Sequence, residues 1–108
     1  MFGFGKKKID KAAWAALVFS ESPKHPEKLS EKQLSALTTG MLMQHHRIII
    51  DSVRLVASTK NPETKQGRTE LSYKHYQEMV KFKPFCNKEQ LAMIRNAEDA
   101  METVGLKV

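Results

Sequence analysis

The sequence of 108 residues predicts an all-α protein, a small antiparallel bundle of four helices organised on one long central helix. Three observations predict this class. Apolar residues recur at the three- and four-residue spacing of helices and do not alternate as in strands. Two capping-box sequences and three proline-containing breaks divide the chain into helical segments; the breaks lie at Pro23 and Pro26, at Asn61-Pro62 after the second helix, and at Lys83-Pro84. The sequence contains no Asn-Gly or Asp-Gly dipeptide, the strongest short-range sign of a β-hairpin.

The first predicted helix runs from about Asp10 to Ser20, with Asp10 as its N-cap residue. It is apolar almost all round, which predicts burial on most sides. Pro23 and Pro26 end it, because the residue before a proline disfavours the helical conformation. Residues 1–8 are predicted to be a basic and aromatic N-terminal tail, and residues 9–108 a single helical bundle domain.

The second predicted helix, over residues 29–59, is the longest and has the clearest start. Ser30 and Gln33 have the spacing of a capping box. Gly40 is the predicted weak point, because glycine costs about 1 kcal/mol in a helix interior and favours a kink or a break. The helix would be about 40 Å long at 1.5 Å per residue. No other predicted helix equals this length, so part of its apolar surface is expected to need a cover from outside the chain.

Two shorter helices are predicted to follow. Residues 62–68 are interpreted as a polar connection, and Thr69 as the N-cap of a third helix of about 14 residues that ends at Lys83-Pro84. Asn87 and Gln90 predict a second capping box and the start of a fourth helix. A glycine after its last periodic position predicts a Schellman ending.

His45 and His46 lie in the middle of the long helix and are predicted to point into its apolar surface. Histidine changes charge near physiological pH, so this pair predicts a pH-sensitive core or a subunit interface. We expect His45 to pair with Ser52 or with a tyrosine hydroxyl, because buried polar groups need partners. We also expect its charging below about pH 6 to destabilise the fold or a dimer. The residues assigned to this interface or core are Met41, Leu42, His45, His46 and Ile49.

A metal site in the bundle is an alternative function for the histidines. His75 on the third helix and the carboxylates of Asp51 and Glu78 are the candidate partners. Their spacing loosely resembles the histidine and carboxylate spacing of helical di-iron proteins, but a second Glu-x-x-His is absent. The ligand set is incomplete, so no metal, cofactor or catalytic residue is predicted.

The charge of the chain predicts a preference for acidic partners. Lysine and arginine outnumber aspartate and glutamate by 18 to 12, which gives a formal net charge of +6. Nucleic-acid binding through basic helix flanks is therefore an alternative function, less favoured because both signs of charge are mixed through all segments. The candidate basic surface comprises Lys6, Lys7, Lys8, Arg47, Arg54, Arg68, Lys74 and Lys81.

The sequence contains no glycine-rich phosphate loop, catalytic-triad spacing or zinc signature, so it is not predicted to be an enzyme. The single cysteine, Cys86, favours a reducing compartment, and no apolar stretch is long enough to span a bilayer. A cytoplasmic protein without stable membrane insertion is predicted. Cys86 lies before a helix N-terminus, where a thiol pKa can fall, but a small apolar residue that closes the turn is the favoured interpretation.

The predicted function is a small helical protein-interaction module of the adaptor or regulatory type. The apolar surface of the second helix supports this prediction. It extends around a large part of the helix and must therefore be covered from several directions. A homodimer through the second helix is the simplest cover, since most soluble oligomers are two-fold symmetric.

Overall fold

The computed structural model describes residues 10–18 and 26–108, and this part of the chain contains four α-helices. They are α1 (Lys11–Leu17), α2 (Glu31–Ser58), α3 (Pro62–Val80) and α4 (Lys88–Thr103). Short 3-10 turns at Pro26–Lys28 and Lys83–Phe85 precede α2 and α4. The described ranges contain no β-strand, so the predicted all-α bundle is confirmed. The predicted N-terminal tail, residues 1–8, lies outside the described residues.

The first helix begins as its sequence predicts but is less buried. The Asp10 carboxylate accepts a hydrogen bond from the backbone N–H of Ala13 at 3.0 Å and so caps α1. Trp14 is fully buried. Burial on most sides is a wrong prediction, since three alanines of this helix are solvent-exposed: Ala12, Ala13 and Ala16. Alanine is favoured in α1 for its helix propensity, which needs no burial.

The long helix α2 is continuous over 28 residues, without a break at Gly40. Its capping box is complete: the Ser30 hydroxyl accepts from the backbone N–H of Gln33 at 3.1 Å, and the Gln33 side chain accepts from the backbone N–H of Ser30 at 2.8 Å. The segment before Gly40 is held by neighbouring elements, because the Thr38 hydroxyl accepts a 2.9 Å hydrogen bond from the Trp14 indole N–H. Tertiary contacts therefore override the low helix propensity of this segment.

The third helix begins eight residues earlier than predicted, with its N-cap at Asn61 and not at Thr69. Asn61 is its N-cap, and the Asn61 side chain accepts from two backbone N–H groups of the first turn. Pro62 occupies the first helical turn, where its missing N–H is not needed. A polar connection over residues 62–68 is therefore wrong, and Thr69 lies inside the helix, where its hydroxyl donates to the Lys65 carbonyl. Residues 62–67 are all exposed, so this stretch has no apolar face that would reveal a helix.

The fourth helix is capped at both ends as predicted. The Asn87 side chain accepts from the backbone N–H of Gln90 at 2.8 Å, and the Gln90 side-chain oxygen accepts from the backbone N–H of Asn87 at 2.8 Å, which completes the capping box. Gly105 has φ +83°, and the backbone N–H of Leu106 donates to the Met101 carbonyl at 3.0 Å. This is the 6→1 bond of a Schellman ending.

Helix α2 is the centre of the bundle, because α3 and α4 both pack against it and against each other. The core between them is mostly apolar, and the described residues also include a few buried polar side chains. Its fully or almost fully buried hydrophobic members include Trp14, Leu34, Leu42, Ile49, Met79, Phe82, Ile94, Ala97 and Met101.

The bundle is flat and elongated. Its Cα extents are 53 × 32 × 16 Å, and its Cα radius of gyration is 16.0 Å. A compact domain of about 100 residues has a radius of gyration near 13 Å. A thickness of 16 Å corresponds to two layers of helices, so the described helices form no third layer on the other side of α2. Within the described residues, no helix has both the length and the apolar character needed to cross a membrane.

Candidate functional site

One side of α2 faces away from the other described helices. We call it the outer face, formed by Gln33, Ala36, Leu37, Gly40, Met43, Gln44 and Arg47. At 100° per residue these positions occupy about one third of the helix circumference. Two shallow grooves follow each other along it, one lined by Leu29, Gln33, Ala36 and Leu37. The other is lined by Gly40, Met43, Gln44, His46 and Arg47.

The outer face carries exposed apolar side chains. Leu37 is 45% exposed and Met43 is 58% exposed, and the other large exposed hydrophobic residue of the described chain is Val108 near the C-terminus. Gly40 lies between them, three residues from each. A Cβ atom built on Gly40 would meet nothing within 4 Å, so no described side chain covers the middle of this face.

The residues predicted for the interface or pH-sensitive core lie beside or opposite the outer face, and His46 lines one of its grooves. Leu42 and Ile49 are fully buried in the core, and Met41 is partly buried against it. Leu42 and Ile49 are therefore core residues, which is one of the two alternatives predicted for this set, and they offer no surface to a second chain. These residues were selected because they belong to the most apolar side of α2. Helices α3 and α4 of the same chain cover that side. The outer face was missed because its apolar residues are separated by glycine and glutamine.

The structure brings His45 of α2 and His75 of α3 together. Their Nδ1 atoms are 2.8 Å apart, and the ring centroids are 5.1 Å apart at an interplanar angle of 43°. Both rings are partly buried. The expected partners of His45, Ser52 or a tyrosine hydroxyl, are wrong. Ser52 is fully buried, and its hydroxyl has no hydrogen-bond partner among the described residues.

Burial lowers the pKa of both histidines below the ordinary value of 6.5, because desolvation disfavours the charged ring. The His75 ring lowers the pKa of His45 further, and Lys74 lowers that of His75. Glu78 acts in the opposite direction on both rings. The pair is therefore held predominantly neutral at neutral pH.

The other proposed metal ligands do not complete a site. The described residues contain no group of three or more histidine, cysteine, aspartate or glutamate side chains that could hold a metal ion. His46 is turned toward α4, where its Nε2 lies 2.7 Å from the Asn96 side-chain oxygen. Asp51 lies 3.9 Å from Arg54 on the solvent side of α2. Two histidines alone supply fewer ligands than protein zinc sites use.

The thiol of Cys86 is not activated. Burial raises its pKa to about 11, and Lys83 opposes this shift only in part. The thiol donates to the Phe82 carbonyl across 3.1 Å. A lowered pKa at the start of α4 is therefore a wrong alternative, and Cys86 has the properties of a residue that closes the turn.

Tyr76 connects α3 to α4 through a hydrogen bond from its hydroxyl to the Glu98 carboxylate. Burial and the negative charge of Glu98 raise the pKa of Tyr76 to about 12, so the hydroxyl remains a donor at physiological pH. Lys83 lies 3.8 Å from the same carboxylate. This cluster joins two helices and leaves no free nucleophile or base.

The candidate basic residues do not gather on one helix. Arg47 and Arg54 lie on α2, whereas Arg68, Lys74 and Lys81 belong to α3 or its C-cap. Arg54 and Lys81 each pair with a carboxylate one turn away, which reduces the free positive charge. The three lysines that form the densest run lie outside the described residues: Lys6, Lys7 and Lys8.

Comparison of the chain with protein-family models, curated proteins and solved structures finds no match.

Proposed function

We propose that this chain is a helical protein-interaction module of the adaptor or regulatory type, which forms a homodimer through the outer face of α2. The observation that carries the proposal is the exposure of Leu37 and Met43 on either side of Gly40. Exposed apolar side chains that share one face favour association, because contact removes their surface from water.

The outer face has the shape that a two-fold interface requires. An isologous interface uses the same patch on both chains, so the patch must contain both protrusions and depressions. Leu37 and Met43 protrude, whereas Ala36 and Gly40 are small. Gly40 also permits close approach of a second backbone, since it has no side chain. Each copy therefore offers large side chains to the small positions of the other.

The size of the face predicts a dimer of moderate affinity. The outer face runs from Gln33 to Arg47, about 21 Å along the helix axis at 1.5 Å per residue, and presents a narrow contact surface. A standard stable interface buries about 800 Å² on each partner, which a single helix face supplies only at the low end. We therefore expect dissociation constants on the order of micromolar.

Replacing Met43 by glutamate is expected to abolish the dimer, because the charge would be desolvated at the centre of the contact. The side chain is exposed in the single chain, so the fold should be retained. Sedimentation velocity from about 1 to about 100 μM covers the expected affinity range. We expect the wild type to shift with concentration toward twice the 12.3 kDa chain mass, and Met43→Glu to remain at one chain mass.

A matched control separates the contact from a general charge effect. Gln77→Glu introduces the same charge at an exposed position of α3 and should dimerise like the wild type. A wild type that stays monomeric at the highest concentration contradicts the proposal, as does a Met43→Glu variant that dimerises as strongly as Gln77→Glu.

A further inference from the structure

We propose that the His45–His75 contact is a pH-responsive switch between α2 and α3. The two rings stay in contact while the pair carries at most one added proton, and they separate when a second proton binds. The proposal does not depend on the homodimer, because both rings belong to one chain.

The 2.8 Å separation of the two Nδ1 atoms requires one hydrogen between them. In the neutral pair, one ring carries hydrogen on Nδ1 and donates it. The other ring has a bare Nδ1 that accepts, and carries its hydrogen on Nε2. The two histidines are therefore in opposite tautomers. Two rings with hydrogen only on Nε2 would place two lone pairs against each other.

The two added protons have opposite consequences for the contact. The first is accommodated at Nε2 of the donor ring, away from the contact. That ring becomes cationic and keeps its Nδ1–H, so the hydrogen bond to the acceptor ring is retained, although burial makes this protonation less favourable than in the unfolded chain. The second proton must bind the bare Nδ1 of the acceptor ring. Two hydrogens and two positive charges then face each other, so the rings must separate.

Charged groups around the pair set the pH at which the two rings separate. On α3, Glu78 favours protonation of both rings, and Lys74 opposes protonation of His75. On α2, His46 is turned toward Asn96 of α4. Glu78 itself is paired with Lys81, so its effect on the rings is shared with a cation.

Opening of the pair would reach the core. Leu42 lies three residues before His45 on α2, and Met79 lies four residues after His75 on α3, so each is about one turn away. Both are fully buried. Separation of the two rings therefore removes a polar link beside the apolar contact between α2 and α3. The expected result is a looser α2–α3 contact in acid, with the helices themselves retained.

The direction of the pH effect follows from linkage. Both histidines have a lowered pKa in the folded chain, so the unfolded chain binds more protons below the ordinary pKa of 6.5. Stability contributed by the pair is present above pH 6.5 and is lost as the pH falls below it. Each extra proton bound by the unfolded chain lowers the folding equilibrium constant by up to about tenfold per pH unit.

The test compares urea unfolding of three proteins between about pH 7.5 and about pH 5, the range in which histidine titrates. His75→Asn removes one ring of the pair, and His46→Asn, next to His45 in sequence, is the control. We expect the folding equilibrium constant of the wild type and of His46→Asn to fall more steeply with acid than that of His75→Asn. Equal pH profiles for His75→Asn and the wild type would overturn the proposal.

A spectroscopic readout covers the case in which His75→Asn does not fold. Long-range ¹H–¹⁵N NMR of the wild type distinguishes the two tautomers of each histidine. We expect one ring of the pair to carry hydrogen on Nδ1 and the other on Nε2 at neutral pH. Finding both rings with hydrogen on Nε2 overturns the proposal, because no hydrogen would then lie between the Nδ1 atoms.

Discussion

Replacing Trp14 by alanine is expected to lower the free energy of unfolding by about 3–5 kcal/mol, the usual cost of truncating a buried aromatic side chain. Trp14 is 1% exposed, and its indole N–H donates to the Thr38 hydroxyl at 2.9 Å. It is the only buried residue of α1, so the packing of α1 on α2 depends on it. Urea unfolding followed by far-UV circular dichroism measures the loss, since the chain has no other tryptophan for fluorescence.

The variant Trp14→Phe divides this loss into packing and hydrogen bonding. Phenylalanine retains most of the buried ring but cannot donate to Thr38. The Thr38 hydroxyl keeps its own bond to the Leu34 carbonyl. We therefore expect Trp14→Phe to cost about 1–2 kcal/mol, clearly less than alanine. If Trp14→Ala lowers the free energy of unfolding by less than about 1 kcal/mol, the packing of α1 on α2 does not depend on this side chain.

Replacing Gln90 by alanine is expected to cost about 2–4 kcal/mol, because several buried polar groups lose their partner at once. The Gln90 amide nitrogen donates to the Ser35 carbonyl at 2.9 Å and to the Thr39 hydroxyl at 2.9 Å. Its oxygen accepts from the backbone N–H of Asn87. One side chain thus caps α4 and fixes its start against α2. Urea unfolding measures the change in free energy.

The chain supplies a matched control for Gln90. Gln33 occupies the same third position of a capping box at the start of α2, but it is exposed and serves only the cap. Gln33→Ala is expected to cost about 0.5–1 kcal/mol, as a cap contact does. The difference between the two variants measures the bonds from α4 to α2. Equal losses would show that those bonds contribute nothing.

The sequence predicted the helix ends where the cap chemistry is local. Ser30 with Gln33 and Asn87 with Gln90 form their boxes within four residues, so no tertiary information is needed. The start of α3 was not predicted, because Asn61-Pro62 was interpreted as the end of α2 alone. An asparagine followed by proline also fits an N-cap and first helical residue, a signal that the exposed, non-periodic turns after it concealed.

The candidate site could be predicted only in part, because it depends on contacts distant in sequence. His45 was identified as a polar residue of the apolar surface, but its partner depends on the register between α2 and α3. Which side of α2 is covered depends on both later helices. Leu42 and Ile49 were therefore assigned to an interface or a core without a decision between the two, and Leu37 and Met43 were overlooked.

Cysteine cross-linking tests the proposed contact most directly. Gly40→Cys and Gly67→Cys are compared in a Cys86→Ala background, since a Cβ atom at either glycine has open space in the single chain. A disulfide needs Cα atoms about 4.4–6.8 Å apart, which a contact centred on residue 40 provides. We expect rapid formation of a covalent dimer through position 40, suppressed by Met43→Glu, and slow formation through position 67. Equal rates at the two positions, or a rate at position 40 that Met43→Glu leaves unchanged, would contradict the proposed contact.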